Sequence, residues 1–520
     1  MYNQYMFIRK KKNRSGSTSV IVVDKSNGKF REIKTIGVSS DAKEISELYQ
    51  SGRQWILNNN SQPDMFVLYD RLQEEKQVIE RLLSNVENIL LNGTKLILDK
   101  VFELIGFDAV KDEIFRSLII SRICQPLSKQ ATVEYLKSHF DEDVDLNKIY
   151  RYLDKLQSGQ KETIQGISVK HTKKILGGKI GLAFYDVTTL YFETDYSDDL
   201  RKQGFSKDGR GSNPQIVLGL LVSSGGYPLA YSIHEGNKYE GHTMLSIIDN
   251  FVKEFELDDF IVVADAGMMS KDNVSELELK GYKYILGAKI KTESEKIKQW
   301  IFSLDKQNGS FYELSKTKTS RLIVGYSDGR AKKDRYNREK GVRRLEKEFK
   351  SGKLTKDKVT KRGYNRFLDI SDNVKVSINQ EKIKEDERWD GLKGYVTNTK
   401  LSAKNVYEEY SGLWQIERAF RITKGTLEMR PVFHFTKRRI EAHISICFAA
   451  YKVYKELERV LRLSNIKISV DKVLNIAKTI TTIKVKLPAS GETLTQTMLL
   501  TDKHKSIAIL FDNSFWSRFG

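Results

Sequence analysis

The chain changes its hydrophobic rhythm several times. Residues 17–24 (STSVIVVD) form a strand-like apolar run, Ser26-Asn27-Gly28 makes a turn, and residues 30–36 pair as a second strand. This pattern predicts a small β-rich cap over residues 1–60. From about residue 64 to 163, charged and apolar residues interleave at spacings of three and four, which predicts a helical region over 61–175. Within it, residues 129–140 and 146–156 are two short helical stretches separated by an acidic turn. They fit a helix-turn-helix whose second helix carries Lys148, Arg151 and Tyr152 to DNA, or an ordinary packed helix pair.

At Gly177 the rhythm becomes that of buried strands. Residues 179–193 (KIGLAFYDVTTLYFE), 215–222 (QIVLGLLV) and 229–233 read as three strands. A helix at 242–255, a strand at 260–264, a helix at 270–280 and a strand at 282–289 follow. Continuous apolar strands with helices between them predict a sheet covered on both faces. Three strands, helix, strand, helix, strand is the order of an RNase H-like α/β fold. A polar stretch at 291–393 interrupts it, with 16 Lys/Arg against 5 Asp/Glu between Arg330 and Arg366. This reads as an insertion, with a solvated charged loop as the plain alternative. The fold resumes with a strand at 394–397, a helix at 403–424 and a helix at 438–462. The core thus comprises 176–290 and 394–462. A mixed tail at 463–520 is left over, for which dimerisation is one role.

Charge adds a partner. Lys and Arg number 88 against 68 Asp and Glu in 520 residues, for a net charge of +20. Such an excess suits a polyanion, first of all nucleic acid, whose phosphates attract Lys and Arg and release counterions. Only Cys124 and Cys447 occur, without metal-ligand spacing, so zinc knuckles and disulfide frameworks are excluded. No apolar run reaches the ~18 residues that cross a bilayer, and a reducing cytoplasm is the expected compartment. No Walker A loop, dinucleotide fingerprint or serine nucleophile elbow is present.

Three acids stand out. Asp186 lies inside an apolar, aromatic strand, and Asp265 ends the run FIVVAD. A carboxylate in a buried strand is costly unless it is paired or metal-bound. Glu417 lies on the helix after the insertion, where helical steps align Tyr410, Trp414, Glu417, Arg421 and Lys424 on one face beside an apolar stripe of Leu413, Ile416, Phe420 and Leu427. Alone, that face would be a surface salt-bridge row. With the two strand acids it offers three hard oxygen ligands suited to Mg²⁺ or Mn²⁺, and two such ions can drive an in-line phosphoryl transfer. Arg421 and Lys424 beside them would grip phosphates.

These motifs resemble the DDE transposases of bacterial insertion sequences that carry a Y-x(2)-R-x(3)-E-x(6)-K signature. Here the signature reads Tyr410, Leu413, Glu417 and Lys424 in YSGLWQIERAFRITK. Leu413 replaces the usual Arg, a contact that Arg418 or Arg421 is placed to supply. Other matching segments are YDVTTLYFE, HEGNKYEGHT at 234–243, VVADAGMMS, and RPVFHF followed by RIEAHI at 430–444. The resemblance implies an RNase H-like catalytic domain with Asp186, Asp265 and Glu417 as metal-binding catalytic acids that hold two Mg²⁺ or Mn²⁺ ions. The spacings of 79 and 152 residues between successive acids agree with a mainly β insertion before the third. It further implies cleavage at terminal inverted repeats, attack of the freed 3′-hydroxyl on target DNA, and a homodimer holding two ends of double-stranded DNA. Relatives hold a flipped base on a Trp in the insertion; Trp389 fits that part, with Trp300 second, and a core Trp is the plain alternative. Arg430 and His434, near His443 and Arg439, complete the expected DNA contacts. An RNase H-like nuclease that does not join strands and an inactive DNA-binding relic are the rival readings.

Overall fold

A computed structural model describes the chain apart from residues 1–5, 27, 60–64, 157–158, 206–211, 239–242, 256–259, 269, 352–358, 361–362, 372–374 and 520. His242 and most of the segment 239–243 therefore lie outside the described residues. Two compact units emerge, residues 1–89 with 483–496, and residues 90–482 with 497–520.

In the first unit, the hairpin expected at 17–36 is present as Thr18–Asp24 paired antiparallel with Arg31–Ser39. A further strand, Met6–Lys12, pairs on its other side, and the buried run Val20 to Val23 forms the small core. An 18-residue helix, Ala42–Asn59, follows within the segment read as β-rich.

The second unit is built on one eight-stranded sheet. Its strands are β1 (Leu182–Tyr191), β2 (Gln215–Ser223), β3 (Pro228–Glu235), β4 (Ile261–Ala264), β5 (Lys283–Ala288), β6 (Phe311–Ser315), β7 (Arg321–Tyr326) and β8 (Leu392–Thr397), in the spatial order β6-β7-β8-β5-β4-β1-β2-β3. β1, β2 and β3 are antiparallel neighbours, whereas β4 and β5 run parallel to β1 on its other side. Every residue of β2 is buried, as its unbroken apolar run requires of a strand covered on both faces.

Alternation along β1 assigns its residues to two cores. Leu182, Phe184 and Leu190 belong to one, and Ala183, Tyr185 and Val187 to the other. Into the first core pack the helices α1 (Glu113–Cys124), α2 (Lys129–Phe140), α3 (Leu146–Leu156) and α4 (Gln160–Ile175). The second core is covered by α5 (Met244–Phe255) and α6 (Lys271–Leu279).

The insertion departs from the expectation of a mainly β segment. It adds β6 and β7 to the sheet edge and a small hairpin, Leu368–Ser371 with Lys375–Ile378, but its longest element is α7 (Asp328–Lys350), a 23-residue helix. The sequence of α7 is polar all round, with only Arg338, Gly341 and Leu345 buried, so no amphipathic stripe announced it. Ion pairs one turn apart support it instead, Arg330 with Asp334 (3.5 Å) and Arg344 with Glu348 (3.1 Å), and Arg338 anchors it through both guanidinium nitrogens to Asp390.

The expected helix at 403–424 is three pieces: α8 (Ala403–Ser411), α9 (Trp414–Arg421) and a π-helical turn at Ile422–Thr426. At the junction, Leu413 N–H donates to Tyr410 C=O and Gln415 N–H to Gly412 C=O, tightening the turn. Gly412 sits where a Cβ would fall 2.5 Å from the Phe184 ring, so its missing side chain lets the helix close on β1. The last long helix, α10 (Lys437–Leu463), is buried along most of its length and runs through the first core. Cys124 and Cys447 are both buried and unpaired. Among the described residues no helix is long and apolar enough to cross a membrane.

Candidate active site

Register brings two of the three acids side by side. Tyr185 pairs with Ala264 in the parallel ladder, so Asp186 and Asp265 follow as the next neighbours on β1 and just past β4. Both continue the alternation of Phe184 and Val263, whose side chains lie in the first core, on the face that α8 and α9 cover. Ala264 also pairs with Leu286 and Gly287 with Tyr395, which extends the same row to Gly287 and Tyr395. Asp186 is half-buried and Asp265 exposed, and each accepts a hydrogen bond from the next backbone amide, Val187 N–H at 2.8 Å and Ala266 N–H at 2.5 Å.

Tyr410 at the end of α8 reaches down onto this row. Its ring is buried against Tyr395, with centroids 4.8 Å apart, and the charge of Asp265 bears on its hydroxyl. Burial first, and Asp265 next, hold that hydroxyl above the ordinary tyrosine range, so it stays protonated. Gly287 makes room for it, since a Cβ there would stand 2.5 Å from the Tyr410 hydroxyl and 2.9 Å from Ala266 N. Gly287→Ala is therefore expected to destabilise the fold by about 1–3 kcal/mol through overpacking. Adding Tyr410→Phe, which removes the oxygen but not the ring, should recover part of that loss in a urea-unfolding double-mutant cycle.

Glu417 is exposed on α9, and the same-face argument holds only in part, because the break at Gly412 separates it from Tyr410. What connects it to the strand acids is Lys393 on β8. The Lys393 ammonium lies 4.4 Å from the Tyr410 ring centroid. Burial, with Arg330 nearby, holds Lys393 below the ordinary lysine range, while Asp265 and Glu417 both pull it the other way. Sequence reading passed over Lys393, although the criterion that singled out Asp186, a charge inside an apolar strand, applies equally to LKGYVT. Among the described residues no three His, Cys, Asp or Glu side chains stand close enough to hold a metal ion. Beside this row, Lys393, Arg330, Tyr395, Tyr407 and Tyr410 line a cavity of about 630 Å³.

The residues expected to touch DNA fare differently. Lys148 and Arg151 are exposed on α3, whereas Tyr152 is buried and donates to Gln160 Oε1 at 2.9 Å, so it holds α3 in place. Arg421 is exposed. Lys424 lies in the π-helical turn, half-buried, with its ammonium 5.9 Å from the Phe420 ring. Arg418 is engaged by Glu458 and is not placed as an open substitute for the arginine missing at Leu413. Trp389 corrects the expectation of a base-stacking indole: it is buried in the second core, 4.6 Å from Phe302 between ring centroids, and presents no open face. Trp414, in contrast, is 56% exposed three residues before Glu417.

Arg430 lies 5.8 Å from the Tyr191 ring, and His434 stands 5.5 Å from His443. Burial, then Lys129, Arg122 and Arg439, push the His434 pKa down to about 4, and the same kinds of group hold His443 well below 6.5. His171 and His234 are also depressed, by burial foremost. The unfolded chain takes up protons on these imidazoles near 6.5, the folded chain only at lower pH. Their contribution is complete above pH 6.5 and is lost as pH falls from 6.5 toward about 4. The thermal midpoint should accordingly rise between pH 5 and pH 7; a midpoint that fell over that range would contradict these burials.

With the geometry in view, comparison decides the family. A family model described as "Transposase DDE domain" matches residues 178–452, more than half of the chain. The chain belongs to the transposase DDE domain family. Asp186, Asp265, Lys393, Tyr410 and Glu417 all fall inside the matched segment of this transposase, whereas Lys148 and Arg151 precede it. No curated protein matches the chain. A solved structure of a piggyBac transposase synaptic complex with hairpin DNA is similar at 8% identity and a TM-score of 0.38, over 82% of this chain and 80% of that one.

Proposed function

We propose that this chain is an insertion-sequence transposase that cleaves DNA at the ends of its element and joins the freed 3′-hydroxyl to target DNA. The observation that carries the reading is that Asp186 and Asp265 fall side by side on one sheet face, with Tyr410 feeling the charge of Asp265 and Lys393 that of both Asp265 and Glu417. The strand order, three antiparallel strands with two parallel ones beside the first, supports an RNase H-like core.

The donor set matches a hard divalent cation in kind, being carboxylate oxygen throughout, which favours Mg²⁺ or Mn²⁺ over softer metals. Asp186, Asp265 and Glu417 are the residues that would hold a pair of such ions, which when bound would lower the pKa of an attacking water or hydroxyl and stabilise charge on the departing oxygen. Tyr410 stands where its protonated phenol can steady the Asp265 carboxylate. Lys393 offers a cation that feels both Asp265 and Glu417, where a scissile phosphate needs its charge offset. Lys148, Arg151 and Arg421, all exposed, and Lys424 and Arg430 are assigned to the DNA backbone, and a net charge of +20 fits the same polyanion. A homodimer on two paired double-stranded ends follows from the family resemblance.

Joining separates this reading from a nuclease. A labelled duplex with a pre-cut 3′-hydroxyl end of the element, incubated with protein, Mg²⁺ and supercoiled plasmid, should yield covalently joined plasmid. Cleavage of intact ends without any joined product would favour a nuclease instead.

A further inference from the structure

Away from the acid row, a second cluster of charge has no counterpart. Arg122 near the end of α1 is 8% exposed and Lys129, the first residue of α2, is 7% exposed. Among the described residues neither makes a hydrogen bond or ion pair with any carboxylate. Both line one cavity of about 360 Å³, together with Arg430, His434 and His443. Among the described residues, the only acid on its wall is Glu428, which is exposed.

Buried cations are normally paired, because taking a charge out of water is costly. Lys129 stands doubly against this rule. It is buried, and it sits in the first turn of a 12-residue helix, where the backbone amides already carry partial positive charge. Burial, reinforced by Arg122, pushes its pKa down to about 7. His443 adds an independent sign: it is 5% exposed, its Nε2 lies 3.1 Å from Met429 C=O, and its Nδ1 has no hydrogen-bond partner among the described residues. Arg122, Lys129 and His443 line this cavity beside the N-terminus of α2, and a single anion there would offset their charge. Its oxygens would accept from Arg122 and from the α2 amides, and its charge would restore the protonated forms of Lys129 and His443.

We propose that this cavity is an oxyanion site that takes one phosphate group, presented by a nucleic-acid backbone or as free phosphate. The backbone source rests on the reading of the chain as a DNA-processing enzyme; the site itself rests on the cavity alone.

Full-length protein and Lys129→Met, of similar length but uncharged, test it. In chloride buffer, Lys129→Met should melt at a higher temperature than wild type, since it removes an unpaired buried cation. A lysine with a merely structural role would give the opposite sign. Replacing chloride by inorganic phosphate at equal ionic strength should raise the wild-type midpoint and leave that of Lys129→Met unmoved. The salt dependence of binding to a DNA duplex distinguishes the sources. A slope of log affinity against log salt that is shallower by about 0.9 in the variant marks a backbone phosphate. An unchanged slope with a lost phosphate shift marks a free phosphate. Equal wild-type midpoints in phosphate and chloride, with an unchanged slope, would overturn the site. Metal-dependent cleavage of DNA is read separately, so its absence would sink the transposase chemistry without touching these results.

Discussion

Asp265→Asn is expected to lower DNA cleavage by roughly a thousand-fold or more while leaving DNA binding nearly intact. The substitution keeps the size of the side chain and its place beside Asp186, yet removes the negative charge that a divalent cation requires. Metal stabilisation of a phosphoryl transition state is worth several kcal/mol, and each 1.36 kcal/mol is a factor of ten in rate. Asp265 is exposed and its carboxylate accepts from the Ala266 amide, a bond that the amide oxygen of Asn can keep, so the fold should persist. Single-turnover cleavage of a labelled duplex, beside a binding isotherm for the same duplex, separates the two effects. Loss of binding in parallel with loss of cleavage would move Asp265 from a chemical role to a structural one.

The largest expected effect on stability lies elsewhere, at Glu456 on α10. Glu456 is fully buried and receives Arg459 through two nitrogens, with Nη2 at 2.6 Å and Nε at 2.9 Å, while His171 Nε2 on α4 stands 3.5 Å away. Burial would raise the Glu456 pKa, but the bonds from His171 and Arg459 outweigh it and hold the carboxyl below its ordinary range. Glu456→Ala leaves Arg459, largely buried, without its counter-charge and should cost about 3–5 kcal/mol in urea unfolding. Lys452, one turn earlier and equally buried, offers the contrast. It donates to Thr172 Oγ1 at 2.6 Å and Ser168 C=O at 3.2 Å, and burial pushes its pKa down to about 7. Bonded only to neutral acceptors and held below the ordinary lysine range by burial, it should tolerate Lys452→Met at under about 1.5 kcal/mol. Similar losses for the two variants would show that the cluster is not organised around Glu456.

Much of the core was legible because burial leaves a direct trace in sequence. The unbroken run of β2 and the mixed aromatic run of β1 read as covered strands, and an acid inside such a run reads as exceptional; Asp186 and Asp265 were found in that way. What escaped depends on distant partners. The break between α8 and α9 arises because Gly412 closes on Phe184, a contact more than two hundred residues away in sequence, while the local residues favour one continuous helix. Helix α7 escaped because ion pairs and the Arg338–Asp390 bridge hold it, without an apolar stripe. Trp389 takes the core alternative, which sequence alone does not separate from the stacking one, because an indole near the third acid looks alike whether it faces Phe302 or solvent. The cation cavity escaped because Arg122, Lys129 and His443 come from three helices that only folding brings together.

The most direct test of the account is metal-dependent nicking of a labelled duplex carrying the inverted repeats that flank the gene, with Mg²⁺, Mn²⁺ or chelator, for wild type, Asp265→Asn and Glu417→Gln. The account predicts a nick at the element end that exposes a 3′-hydroxyl, requires either ion, and disappears in both variants. Binding of the duplex by wild-type protein with no metal-dependent nick, or a nick that survives in both variants, would contradict it.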